Sequence, residues 1–282
     1  MKILIGILVL DRPKTLAWCL YHLTNAPSRE QFHIVLIDNH SNDETQEVLR
    51  KYEKDVDQII HNDWNVGYCF GDNQWRALRE PGQHCVHIDQ DAVIYSPDWW
   101  EIVEPILNDL DIGMIALRRP TAWIDRPDKI EGYKQLRFEK RHDRWLEVPN
   151  NNFLIAPILI YKGEMLDMMG FENEATGYGD LESPYRLTAL GYKGVYIPDV
   201  FVRQVPHDFE VYAHPQLGAH KDLLARRSKL NDKYINMYQH RQHIYCGTRW
   251  LPETIIDEEY KFYSDQNWEF FKNWGKDEKY IT

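Results

Sequence analysis

Unbroken apolar runs alternate, along the first part of the chain, with stretches in which apolar residues return every three or four positions. KILIGILVL (2–10) reads as a strand buried on both faces, DRPKT breaks it, and TLAWCLYHL (15–23) has helical spacing. FHIVLIDN (32–39) repeats the strand signal. HSNDETQEVLRKYEK (40–54) opens with Ser41, Asn42 and Asp43 as helix-capping candidates and continues as a polar-faced helix. QIIHND (58–63), the helical VGYCFGDNQWRALRE (66–80) and the strand HCVHIDQD (84–91) extend the series, followed by a helix in PDWWEIVEPILNDL (97–110) and a strand in IGMIALRR (112–119). Strands alternating with helices of about a dozen residues predict right-handed βαβ units, and so an α/β fold on a mostly parallel sheet.

From about Thr121 to Pro149 the periodicity dissolves into charged and aromatic residues, which reads as a long irregular or hairpin excursion of the kind that is often functional. Order returns in NFLIAPILIYKGEMLDMMGF (152–171), GYGDLESPYRLTALGYKG (177–194) and the strand-like VYIPDVFVRQ (195–204). Beyond Pro206 the chain is polar and rich in aromatics. A helix is expected there from Leu217 to about Gln239, and a final segment holds Trp268 and Trp274. There is no internal repeat and no low-complexity linker.

Composition narrows the functional classes. A chain of 282 residues, 43% hydrophobic and 27% charged, can bury a substantial core. Its net charge of -11 argues against broad adhesion to a polyanion, and the basic clusters Arg137–Arg144 and Lys221–Lys229 read as solvated faces. Cys19, Cys69, Cys85 and Cys246 are scattered without a C-x-x-C pair, which suggests neither a disulfide framework nor a zinc knuckle and fits a reducing compartment. The apolar runs Ile3–Leu10 and Phe153–Tyr161 fall far short of the roughly 20 residues a membrane span needs, and no secretory leader is legible. The expectation is a cytoplasmic protein without a transmembrane segment.

The candidate chemistry lies in carboxylates that follow the strands: Asp11, Asp38, Asp63 and the pair Asp89 and Asp91. In a parallel sheet, ligands collect at the carboxyl ends of strands, so these distant residues are expected along one edge. Two carboxylates two positions apart point to the same face if their strand continues, where like charges would be neighbours, so the pair makes most sense where that strand ends. Oxygen ligands in such a place suit a hard divalent cation, although D-x-D alone is a weak motif and a solvated turn would explain it as well.

The ordered set of a βαβ start, VLIDNHSND, NDWNVGYCFGDN, and HIDQD followed by SPDWW is more specific than any one of its members. It resembles the nucleotide-sugar-binding half of glycosyltransferase family 2, and the resemblance continues into MGFENEATGYGDLESPYRLTALGYKGVYIPD. That likeness covers about residues 1–210. It implies a GT-A, Rossmann-like fold: a mostly parallel central sheet flanked by helices. A nucleotide-sugar half would span about 1–118, an acceptor and base half about 119–210, and a helical acceptor-side extension 211–282.

The resemblance also implies roles. Asp180, six positions before Arg186, matches the catalytic base, although Gly179 stands where the family often has Glu and Glu182 becomes a rival. Asp89, Asp91 and His207 would hold Mn²⁺ (or Mg²⁺), with His214 and His220 as fallbacks for the imidazole. Leu10, Arg12, Asp38, Asn65, Gly67, Asn73, Asp89, Gln90 and Asp91 would face the nucleotide sugar. Asp38 can accept from a ring N–H that uracil, thymine and guanine present, or can serve as an Asx turn. Tyr178 and Trp100 are candidates for acceptor or sugar contact, with helix packing as the alternative for the tryptophan.

The implied reaction moves a sugar from a nucleoside diphosphate sugar, UDP-sugar first, to an acceptor hydroxyl, and a single base implies inversion. The acceptor stays open between glycan, lipid-linked sugar, protein, small molecule and modified DNA base. Two alternatives remain beside it: a nucleotidyltransferase, disfavoured because LDRPKT lacks a glycine-rich phosphate loop, and a noncatalytic nucleotide-sugar binder.

Overall fold

The structure, a computed structural model, describes residues 1–117, 136–150, 154, 156–175, 179–205, 232–233, 236–237, 249–250 and 258–273, with backbone alone at 179–181. Its first half follows the alternation in the sequence: β1 (Ile3–Val9), α1 (Pro13–Thr24), β2 (Phe32–Asp38), α2 (Asp43–Tyr52), β3 (Gln58–His61), α3 (Tyr68–Arg76) and β4 (Cys85–Ile88). A short β5 (Ala92–Ile94), α4 (Trp99–Leu107) and β6 (Ile112–Leu117) come next. Asn42 caps α2 by accepting the Thr45 N–H at 3.0 Å, so the Ser-Asn-Asp signal was read at the right place.

Residues 136–149 resolve the irregular region into a hairpin of β7 (Leu136–Arg141) and β8 (Arg144–Pro149), while 118–135 lie outside the described residues. Then come β9 (Ile158–Tyr161), α5 (Gly163–Met169), α6 (Gly179–Ala189), β10 (Lys193–Tyr196), β11 (Val202–Gln204) and α7 (Glu258–Lys272). The run VYIPDVFVRQ is therefore two strands, because the chain turns at Pro198 and Asp199 and changes sheets. Most of the expected 217–239 helix lies outside the described residues, although 232–233 and 236–237 are helical.

Among the described residues nine strands form one sheet in the order β3-β2-β1-β4-β9-β6-β10-β8-β7, with β9 and β8 running against the rest. Helices cover both faces, which explains the unbroken apolar runs. Ile3, Ile5, Ile7 and Val9 of β1 join one core with Leu16 and Leu20 of α1, while Leu4 joins a second core with Trp75 of α3. A separate ribbon pairs β11 antiparallel with β5. Among the described residues no helix is long and apolar enough to cross a membrane. Cys19, Cys69 and Cys85 are buried free thiols.

Gly6 is required by this layering. A Cβ at Gly6 would overlap the buried Trp75 indole, which lies directly on the strand. Gly6→Ala is expected to lower the unfolding free energy by about 1–3 kcal/mol through overpacking, read as a lower midpoint in urea. An unchanged midpoint would show that the indole does not depend on this bare stretch of backbone.

Candidate functional site

The strand-end carboxylates do gather. β1, β2, β3 and β4 are parallel, with β1 between β2 and β4, so the loops holding Asp11, Asp38, Asp63 and the Asp89–Asp91 turn leave the same edge. The loops are stitched together by their own side chains. Asp11 takes a left-handed backbone (φ 48) and accepts the Asn42 N–H at 2.7 Å, which ties the exit of β1 to the cap of α2. Gln90 accepts from the Leu10 N–H at 3.0 Å and donates to the Leu10 carbonyl at 2.8 Å. That reciprocal contact between Leu10 and Gln90 fastens the Asp89–Asp91 turn beside the first strand-helix turn.

Asp91 is 4% exposed and forms a buried ion pair with Arg12, the residue that precedes α1. Gln204 Nε2 donates to Asp91 Oδ1 at 3.3 Å, and the Val205 N–H donates to the Asp91 carbonyl at 2.9 Å. Burial and the neighbouring Asp89 charge raise the Asp91 pKa, and Arg12 and Gln204 pull it down, with burial the stronger influence. Asp89 is more open, its side chain 39% exposed. Behind it stands His87, two residues earlier and therefore on the same face of the strand, with Nε2 3.1 Å from Asp89 Oδ1 and Nδ1 2.8 Å from Asp72 Oδ1.

Both ring nitrogens of His87 face carboxylate oxygens, and only the imidazolium can donate to both. Burial alone would lower its pKa, but the charge and hydrogen bond of Asp72, then those of Asp89, raise it to about 10. Burial pushes the Asp72 carboxyl up, yet Arg76 and His87 hold it below the usual range. The seam continues inward. Arg76 pairs with Asp72 at 2.9 Å and with Glu172 at 2.6 Å. The sequence reading missed His87 and Asp72. The signal was present as H-x-D at strand spacing in an otherwise apolar run, together with a carboxylate and an arginine four apart in α3.

Other expected site residues are placed elsewhere or differently. Trp100 is fully buried beneath Phe32 and Trp99 in the core, so no ring face is open to a sugar; packing of α4 claims it. Asn73 is also fully buried. Its Nδ2 donates to the Glu172 carbonyl and to Glu174, and its Oδ1 accepts the Glu172 N–H at 2.8 Å, so it clamps the 172–174 loop rather than facing a ligand. Glu182 is 2% exposed, accepts from the backbone and side chain of Asn173, and pairs with Arg186 at 3.3 Å. That use as a brace removes it as the rival base.

Asp38 accepts from the Ser41 N–H at 3.0 Å, Gln46 Nε2 at 2.5 Å and His61 Nδ1 at 2.9 Å. Burial acts against its charge, but the bonds from Ser41, His61 and Gln46 hold its carboxyl below the usual range. The Asx-type turn is therefore its observed use. Asn65 Oδ1 accepts the Gly67 N–H at 2.9 Å and shapes a turn in which Gly67 has φ 83 and Phe271 of α7 lies against it. The α7 helix also reaches the far side of the site. Tyr260 Oη accepts the Glu174 N–H, Ser264 donates to the Glu174 carboxylate, and Asn267 donates to the Glu174 and Ala175 carbonyls.

Asp180 lies in the first turn of α6, with its side chain outside the described residues, as are Tyr178, His207, His214 and His220 altogether. Among the described residues no three His, Cys, Asp or Glu side chains converge as a metal cluster. The Asp89–Asp91 pair is nevertheless a hard oxygen donor set, and the Arg12 cation already resting on Asp91 shows that the place accepts positive charge.

The glycosyl transferase family 2 model matches residues 5–151, more than half of the chain. No curated protein sequence matches. Among solved structures, the chain is similar to S. aureus TarS 1–349, with a TM-score of 0.53 and 16% identity over 71% of this chain and 58% of that one. It also resembles the Pyrobaculum calidifontis mannosyltransferase PcManGT in complex with GDP-Man and Mn²⁺ (TM-score 0.54, 14% identity, 96% of this chain and 69% of that). A third similarity is to GalNAc-T7 with UDP, GalNAc and Mn²⁺ (TM-score 0.59, 15% identity, 98% and 56%). At these identities the likeness is one of fold, and it agrees with the expected GT-A architecture. The chain spans little more than half the length of the TarS 1–349 and GalNAc-T7 chains.

His87 supplies a testable consequence. Its folded pKa of about 10 lies above the ordinary 6.5, so the proton it holds stabilises the fold fully below about pH 6.5, and that contribution is lost as pH rises through about 10. The difference in unfolding free energy between wild type and His87→Gln should therefore shrink across this window in a series of urea titrations. A difference that stays constant from pH 6 to 10 (~4 units of pH, spanning both values) would mean that His87 is not held as the imidazolium.

Proposed function

Because the chain belongs to glycosyl transferase family 2, we propose that it moves a sugar from a nucleoside diphosphate sugar, a UDP-sugar in the first instance, to an acceptor hydroxyl with inversion. The observation that carries this reading is the Asp89–Asp91 pair, which lies inside the matched segment at the carboxyl edge of the sheet with a cation on its buried member. Asp89 and Asp91 would hold Mn²⁺ (or Mg²⁺), and His207 is the proposed third ligand. Val205 is bonded to Asp91, and two further residues span at most about 7 Å, which supports that assignment. The ion, when bound, supplies charge neutralisation for the departing diphosphate. Mn²⁺ in the complexes of PcManGT and GalNAc-T7, and UDP in the latter, support the choice of ion and nucleotide.

The chain's own residues do the rest. His87 orients Asp89 by donating to one of its oxygens, which leaves the other for a ligand. Arg12 offers a planar fork to phosphate oxygens. The turn at Asn65 and Gly67 presents backbone toward the nucleotide, and Tyr178 contacts the sugar or acceptor. Asp180 takes the proton from the attacking hydroxyl, and one base with one displacement inverts the anomeric carbon.

Purified protein incubated with UDP-glucose, UDP-galactose, UDP-N-acetylglucosamine or GDP-mannose should release nucleoside diphosphate from one donor in Mn²⁺ and not in EDTA. Asp180→Asn should lower that rate by ~10²–10⁴-fold while UDP still raises the melting temperature. If no donor shifts the melting temperature in the presence of Mn²⁺, the reading fails.

A further inference from the structure

We infer that α7 positions the proposed base: Ser264 and Asn267 hold the 172–175 loop, and through Asn173 and Glu182 that loop sets the turn of α6 that carries Asp180. The inference deepens the proposed function and rests on its assignment of Asp180.

The face that α7 buries carries the argument. A helix on a protein surface ordinarily buries an apolar stripe. The buried residues of α7 are Tyr260, Ser264 and Asn267, one stripe at helical spacing, and each meets the 172–175 loop through a polar atom. Tyr260 Oη accepts the Glu174 N–H at 3.1 Å, and Ser264 Oγ donates to Glu174 Oε2 at 3.1 Å. Asn267 Nδ2 donates to the Glu174 carbonyl at 2.5 Å and to the Ala175 carbonyl at 2.9 Å. One helix face is given over to two adjacent residues of a loop.

A second set of bonds ties the same loop to α6. The Ala175 N–H donates to Asn173 Oδ1 at 3.0 Å, and Asn173 donates its own N–H and its Nδ2 to the two carboxylate oxygens of Glu182 at 3.2 and 3.1 Å. Glu182 stands two residues after Asp180 in the first turn of α6. Arg186 fastens Glu182 from the next turn at 3.3 Å and donates to the Phe171 carbonyl at 2.6 Å. The path from α7 to the turn that carries Asp180 is hydrogen-bonded at every step.

Asn173, Glu174 and Glu182 are almost fully buried. A buried network of this kind adds little net stability over apolar packing, and what it confers is a single geometry, because each polar atom is at low energy only against its partner. A general base depends on such precision. It must lie within hydrogen-bond reach of the proton it takes, and misplacement by about 1 Å can cost ~10²-fold in rate.

The test compares wild type, Ser264→Ala, Ser264→Thr, Asn267→Asp and Asp180→Asn, with each α7 substitution made again in the Asp180→Asn chain. Nucleoside diphosphate release is followed in Mn²⁺ with the donor that wild type turns over, beside the melting temperature with and without UDP. Asn267→Asp, which keeps the shape and removes both donated bonds, should lower kcat about 10–100-fold with the donor KM within about twofold of wild type. Ser264→Ala should lower kcat less, and Ser264→Thr, which keeps the hydroxyl, should restore it. UDP should raise the melting temperature of every variant as it does that of wild type. In the Asp180→Asn chain the same substitutions should cost no further rate, because the group they position is gone. If Asn267→Asp does not fold, Ser264→Ala decides by the same cycle.

Rate losses that multiply with that of Asp180→Asn, or α7 variants that keep the wild-type kcat, overturn the inference and leave the proposed function standing. If wild type turns over no donor, or if Asp180→Asn matches wild type, the assignment of the base falls and the inference falls with it.

Discussion

A buried carboxylate must meet a cation or a set of donors, and that constraint organises this molecule from the sheet edge inward. Asp89 reaches the edge with a histidinium behind it, the histidinium is held by Asp72, and Asp72 is held in turn by Arg76. Such a chain contributes little net stability, because desolvating the charges offsets most of their attraction. Its effect is geometric. Each charge has one low-energy place, so Asp89 is aimed by a stack of fixed partners rather than by a flexible loop.

The same seam joins the two halves of the site. Arg76 and Asn73 leave α3 to hold Glu172, and Asn73 also bonds to Glu174, whose other carboxylate oxygen and backbone are held by α7. The Phe271 ring of α7 lies against Gly67, while Trp268 contacts Trp64 and Phe70. One C-terminal helix therefore touches both the turn proposed to face the donor and the loop that precedes Asp180.

The fold was legible where a single rule decided it. Unbroken runs such as FHIVLIDN read as strands covered on both faces, and the capping residues before α2 marked its start, so the element order of the first 117 residues follows from periodicity except for the short β5, three residues that carry no period of their own. The break in VYIPDVFVRQ was hidden because both pieces are apolar and β-branched, and only partner choice separates them: β6 and β8 for Tyr196, β5 for Val202. The edge location of the carboxylates was also legible, since a parallel sheet dictates it. Their partners were not. Gln90 bonds to Leu10, Asp91 to Arg12 and Asn73 to Glu172 across 80, 79 and 99 residues respectively, and no local pattern encodes such pairings.

Polar residues were read as ligand contacts for the same reason: a sequence displays a polar atom without the atom that will satisfy it. Asn73 and Glu182 have the right chemistry for a site and lie in segments that border one, yet both are consumed by backbone and side-chain partners in the interior. Asp89 differs from them by its openness. Of the acidic residues in the buried seam it alone keeps a large exposed fraction, so it is the point at which an internally balanced network meets whatever arrives from solvent.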